Sequence, residues 1–160
     1  MKLPAATRRR LEMQLQALPA ILGDATPDET ARRPPSGKWS ARENLAHLVR
    51  HHEVFLQRLD RMLEEDAPRI ERYRAEDDPE WPRWSEKPTA SILRRLRALR
   101  ARIVKRVRSP SAAQARRVGV HSHLGPMPVP RWVEFFLVHE GHHLYVIMGR
   151  LGEARGERSA

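Results

Sequence analysis

Two histidines four residues apart, His139 and His143, are the groups in this chain best placed to do chemistry. They lie in the run Arg131-Trp132-Val133-Glu134-Phe135-Phe136-Leu137-Val138-His139-Glu140-Gly141-His142-His143-Leu144, which reads as an apolar helix. Residues four apart on a helix share a face. Trp132, Phe136, His139, His143 and Ile147 recur at helical spacing, so both imidazoles point where the large apolar side chains point. A buried imidazole needs a hydrogen-bond partner or a metal. Two on one face, joined by a third ligand from elsewhere, can hold a divalent ion and leave a coordination position open. His47 is the candidate third ligand. The competing reading is a pair of hydrogen-bonded core histidines. With no cysteine in the chain, any metal takes imidazole and oxygen donors, and a thiol nucleophile has to come from a cosubstrate.

The other histidines divide by position. Asn44, His47, His51 and Arg58 form a strip along the edge of an apolar helix face, where a residue either lines a pocket or sits half-exposed. His51, one turn from His47, can replace it as a ligand. His52 falls in the middle of the apolar stripe and reads as a packed, hydrogen-bonded core residue. His142 points elsewhere on its helix, toward a surface or an interface; His121 and His123, in the loop before the fourth helix, could approach the site from above but read first as plain loop residues. His139-Glu140-Gly141-His142-His143 formally matches the His-Glu-x-x-His of zinc proteases, with Glu140 as general base. No third protease ligand follows downstream and no sheet is expected to present a peptide, so that reading is set aside.

Four helical segments position these residues. The first runs from about Ala5 to Leu22 with Leu11, Leu15, Leu18 and Leu22 on one stripe, and a loop of residues 24–38 follows. The second starts at Ser40 with Glu43 three residues on, a capping box, and runs to about Glu65. Residues 67–87, with Pro68, Pro79 and Pro82, Trp81 and Trp84, break the pattern; so long a connection is expected to be a crossover, a lid or a pocket wall, with the two tryptophans as pocket walls or as packing anchors. The third helix spans about Thr89–Arg108, residues 109–130 are irregular, and the fourth helix starts near Pro130 and ends near Gly149–Gly152. Sustained strand alternation is absent, so the expected fold is all-α, a four-helix bundle.

The chain has 160 residues, 40% hydrophobic and 31% charged, enough for one domain over 1–152 with its own core; residues 153–160 are expected to fray. No apolar run approaches the ~20 residues that span a bilayer, and Met1–Arg10 lacks a signal-peptide core, so a cytoplasmic location without membrane is expected. The net charge of +10 attracts anions in general. On the third helix Arg94, Arg95, Arg97, Arg100, Arg102, Lys105, Arg106 and Arg108 lie opposite the apolar stripe and read as a solvated face. Aromatic residues are not interleaved with them as a nucleic-acid stacking platform needs. A basic interaction protein, or a metal-binding one without catalysis, is the alternative to an enzyme.

Trp39-Ser40, Glu43-Asn44-Leu45-Ala46-His47-Leu48, Gly125-Pro126-Met127-Pro128-Val129 and His139-Glu140-Gly141-His142-His143-Leu144, taken with their spacing, resemble the DinB-like (DinB/YfiT) superfamily over about Trp39–Leu151. The resemblance implies a four-helix bundle with a long crossover between helices two and three. It implies a divalent metal, commonly zinc or nickel, on His47, His139 and His143. By their places in the chain, His51, Arg58, Glu140, Trp81 and Trp84 are candidate pocket residues, and Arg58 is of the type that could hold a cosubstrate's carboxylate. The resemblance implies a homodimer acting on a small molecule, and for several relatives the transfer of a low-molecular-weight thiol to an electrophile; many others have no known activity. Two positions depart from the family pattern: Glu140 stands where Asp is common, and Val146 where Gln is frequent.

Overall fold

Helices with an apolar stripe bury it against one another, and the long helices of this chain do so around one core. The computed structural model describes residues 3–156. Its helices are α1 (Ala5–Met13), α2 (Leu18–Leu22), α3 (Pro27–Ala31), α4 (Ala41–Glu64), α5 (Glu80–Ser85), α6 (Thr89–Arg108), α7 (Ala112–Ala115) and α8 (Val129–Arg155). Its strands are β1 (Arg69–Ile70), β2 (Val118–His121) and β3 (Gly125–Pro128). The α1–α2 segment, α4, α6 and α8 form the four-helix bundle. α4 packs against both α6 and α8. Leu45, Phe55, Leu96, Ile103, Trp132 and Phe136 are almost fully buried between them. The rings of Phe55 and Phe136 stack with centroids 4.2 Å apart. Each such side chain contributes about 1.5–3 kcal/mol relative to exposure. Among the described residues, no helix is long and apolar enough to cross a membrane.

The capping box that starts α4 is present: Glu43 N–H donates to Ser40 Oγ at 3.1 Å, and the Ser40 N–H donates to the Glu43 carboxylate at 2.8 Å. The first helix is not continuous, because a 3-10 turn at Gln14–Ala17 divides it. Pro19 has no N–H to give the Leu15 carbonyl, and its ring crowds that turn. The 24–38 loop contains α3, opened by a second capping box of Thr26 and Glu29. α8 runs past Gly149 and Gly152 to Arg155, since Leu151 and Ala154 stay buried on the core stripe. Gly156, at φ 77°, ends it in the left-handed conformation that favours glycine. Residues 153–155 are therefore helical, and 157–160 lie outside the described residues.

The two irregular stretches meet in a small sheet that short strands had hidden from sequence alternation. β1, from the crossover after α4, pairs in parallel with β2 (Arg69 with Val120, Ile70 with His121). β2 pairs antiparallel with β3. Gly119 in β2 sits where an added Cβ would meet Met62 Sδ at 2.7 Å and Ile70 Cδ1 at 2.9 Å, so any larger residue would have to displace those two side chains for the strand to lie on α4. The sheet fixes one end of the bundle and brings His121 and Tyr73 toward the α4–α8 seam.

Candidate metal centre

α4 and α8 place the three expected histidines together. One nitrogen each from His47, His139 and His143 lies within 4.8 Å of the other two. His47 Nε2 and His139 Nε2 are 3.1 Å apart. Two ligands at ~2.1 Å from one ion are roughly 2.9–3.4 Å apart for bond angles between 90° and tetrahedral, so this spacing fits a shared metal. The His143 ring is oriented by Asn44, whose Oδ1 accepts from Nδ1–H at 2.9 Å. Asn44 is itself held by donating Nδ2–H to the Ser40 carbonyl at 2.8 Å. That chain of bonds leaves His143 Nε2 as the free lone pair. His47 Nδ1 and His139 Nδ1 are buried without a hydrogen-bond partner among the described residues.

Burial is the largest cause of a downward pKa shift at each ring: His47 to about 4, His143 to about 3 and His139 to about 2. Neighbouring imidazoles add to the effect at His139 and His143, while Glu76 and Asp78 oppose it at His47. All three are neutral at pH 7, the state a metal requires. The sign for stability follows. Below an unfolded-state value of 6.5 the unfolded chain takes up protons that the folded imidazoles refuse. Metal-free protein is therefore expected to lose stability as pH falls from about 6.5 toward 4, on the order of 1–2 kcal/mol per imidazole at pH 5. Urea midpoints of chelator-treated protein at pH 7 and pH 5 check this; equal midpoints would mean that solvent reaches the rings freely.

The three histidines open on a cavity of about 700 Å³. Trp39, Tyr73, His51, Arg58 and Phe135 form part of its wall. Tyr73 stacks on His47 with centroids 5.5 Å apart, and its hydroxyl donates to Asp78 at 2.8 Å. His51 is buried and stacks on His139 at 3.7 Å, beside the three-histidine cluster rather than in it. His121 and His123, expected as plain loop residues, both line this cavity because the β2–β3 hairpin folds over it. His142 is exposed at its rim.

Three expected pocket residues lie elsewhere. Trp81 and Trp84 are packed against the core as anchors of the crossover; Trp81 backs Trp39 at 4.8 Å, and it is Trp39 that faces the cavity. Glu140 is fully buried away from the cavity, because a residue next to His139 on α8 points about 100° around the helix. There it accepts from Arg100, and from Gln14 Nε2 at 2.9 Å, with His52 Nε2 3.0 Å away. Burial pushes its carboxyl up, but the His52 contact and the Arg100 charge outweigh that and hold it below the usual range. Arg100, expected on a solvated face, is thus a core residue; it sits four residues after Leu96, at the edge of the apolar stripe.

A family model of the DinB superfamily matches residues 10–147. The chain belongs to the DinB superfamily. Among solved structures, this DinB-superfamily protein is similar to YfiT from Bacillus subtilis, described as a probable metal-dependent hydrolase with an unusual four-helix bundle topology. The TM-score is 0.77 at 18% identity, over 96% of this chain and 87% of that one. No curated protein matches the chain. The bundle and its crossover are thus those of the superfamily. The site residues that the histidine spacing did not reveal are Tyr73, Trp39 and His121. Asn44 was already on the strip with His47, which it precedes by three residues; its bond to His143 was not legible. Tyr73 and His121 arrive through the crossover and the sheet, for which no local periodicity exists.

Proposed function

We propose that His47, His139 and His143 hold one divalent metal, zinc or nickel, and that the protein is an enzyme acting on a small molecule in the adjoining cavity. The observation that supports this reading is the convergence of three neutral imidazoles from two helices on a cavity of small-molecule size. Such an ion lowers the pKa of a coordinated water or thiol so that the nucleophile forms near neutral pH. The protein's part is positional. Asn44 fixes the His143 ring, His51 limits rotation of His139, and Tyr73 and Trp39 cover His47. Burial keeps the lone pairs available.

The reaction proposed first is transfer of a low-molecular-weight thiol to an electrophile, since the chain has no cysteine to serve as nucleophile. Hydrolysis is the second reading, favoured by the description of YfiT. A nucleic-acid role has less support. Arg95, Arg106 and Arg108 of α6 pair with Glu53, Asp60 and Glu12, and Arg100 is turned into the core onto Glu140, so half of the eight basic residues of α6 are internally paired. A homodimer is also proposed, through the face on which Val138, Tyr145 and Met148 of α8 stand exposed beside Met13.

Elemental mass spectrometry of untagged protein tests the metal. About one zinc or nickel per chain is expected, followed by consumption of a thiol in the presence of an electrophile, or by ester or amide cleavage without one. Protein that carries no metal and takes up neither ion on titration would return these histidines to the core.

A further inference from the structure

The wall of the same cavity holds a second cluster, three turns along α4 from His47. Arg58 follows His47 by eleven residues, roughly 16 Å along the helix axis. It is only 6% exposed. Its Nη2 donates to the Glu71 carbonyl at 2.7 Å, and its guanidinium lies over the Trp132 ring at 5.7 Å. No carboxylate is within ion-pair distance of it among the described residues, whereas Arg100, the other buried arginine, has Glu140. Burial pushes Arg58 down to about 10, and Tyr73 is the group that opposes this. A buried cation that keeps its charge without a counter-ion is costly unless something anionic joins it.

His121 leans on the same Trp132 ring, with centroids 5.5 Å apart, and is 4% exposed. Its Nδ1 accepts from the backbone N–H of His123 at 3.0 Å and of Leu124 at 3.2 Å. Those two bonds place the ring proton on Nε2, so the imidazole offers a donor from its other edge. Arg72 and Arg74 add positive charge to the cavity wall, against the single acid Glu76.

We infer that Arg58 and His121 form a carboxylate-binding subsite, so that the cavity takes a small molecule carrying a carboxylate at one end and its reacting group toward the three histidines. Each carboxylate oxygen can take one donor, guanidinium on one side and imidazole N–H on the other. This assignment rests on the cavity being the substrate site, and it does not depend on which metal, if any, the histidines hold.

The test is NMR on ¹⁵N-labelled full-length protein, as purified and again after chelator treatment, with acetate as probe. Acetamide is the uncharged control and inorganic phosphate the competing anion. Saturable shifts at the Arg58 and His121 side chains with acetate, in both preparations, and none with acetamide are expected. Arg58→Gln is expected to weaken acetate roughly tenfold or more, since hydrogen bonds to charged groups are worth that much, while Arg97→Gln on the exposed face of α6 leaves it unchanged. Shifts confined to surface arginines, equal shifts with acetamide, or unchanged affinity in Arg58→Gln would overturn the subsite. Tighter binding of phosphate at the same two resonances would overturn the choice of carboxylate. If Arg58→Gln does not fold, the wild-type titrations decide alone. Because the chelated sample is read separately, a failure of metal binding and a failure of the subsite are told apart.

Discussion

His139→Ala is expected to empty the metal site, taking bound metal from about one per chain to below roughly a tenth at the same chelator concentration. His139 Nε2 lies 3.1 Å from His47 Nε2, so its loss leaves two imidazoles, too few for a tight site of this kind. Neighbouring side chains do not readily fill in. His51 stacks on the His139 ring and lies outside the group of nitrogens that converge. Asn44→Ala is expected to behave differently. It removes the acceptor that fixes the His143 ring, and the loss of such an orienting partner weakens metal binding by about 10–100-fold without abolishing it. Competition with a chelator of known affinity, read by elemental analysis, separates the two. Full metal occupancy in His139→Ala would remove this residue from the site. Wild-type affinity in Asn44→Ala would mean that packing alone orients His143.

Arg100→Ala is expected to destabilise the fold by about 3–5 kcal/mol, the range for breaking a buried ion pair by deleting one partner. Glu140 is fully buried and would be left with Gln14 and His52 beside it and no arginine. The same change removes the bond from Arg100 Nη1 to the Leu11 carbonyl at 2.7 Å, which ties α6 to the end of α1. Replacing both partners with apolar residues, Arg100→Met together with Glu140→Leu, is expected to cost much less than the single change, because no charge is then stranded. Urea unfolding of wild type, Arg100→Met, Glu140→Leu and the double variant, analysed as a double-mutant cycle, measures the coupling, with Arg100→Ala read beside them. A cost below about 1 kcal/mol for Arg100→Ala would mean that water reaches Glu140. The pair also bears on the site, since Glu140 precedes Gly141 on the turn of α8 that carries both histidines.

What was legible in the sequence depended on repetition along one element. Helical spacing put His139 and His143 on the core stripe with Trp132 and Phe136, and Ser40 with Glu43 marked where α4 begins. The same spacing in α4 put His47 at the edge of an apolar face. Spacing within a helix says which side chains share a side, and for long elements that suffices to name the bundle and most of its seam. It does not say what that side meets.

The tertiary structure alone decided the rest. Arg100 reads as one more arginine of a basic helix until Glu140 and His52 arrive from α8 and α4. Trp81 and Trp84 read equally as pocket walls or as packing anchors until the crossover is seen to turn them onto the core and leave Trp39 facing the cavity. Tyr73 and His121 carry no periodic signal, since the strands that position them are two and four residues long and pair across about fifty residues of sequence. Local propensities are set by neighbours in the chain and were therefore readable there. Buried charge pairs, a three-strand sheet and a cavity wall are made by neighbours in space, and their energies exist only once the helices have packed.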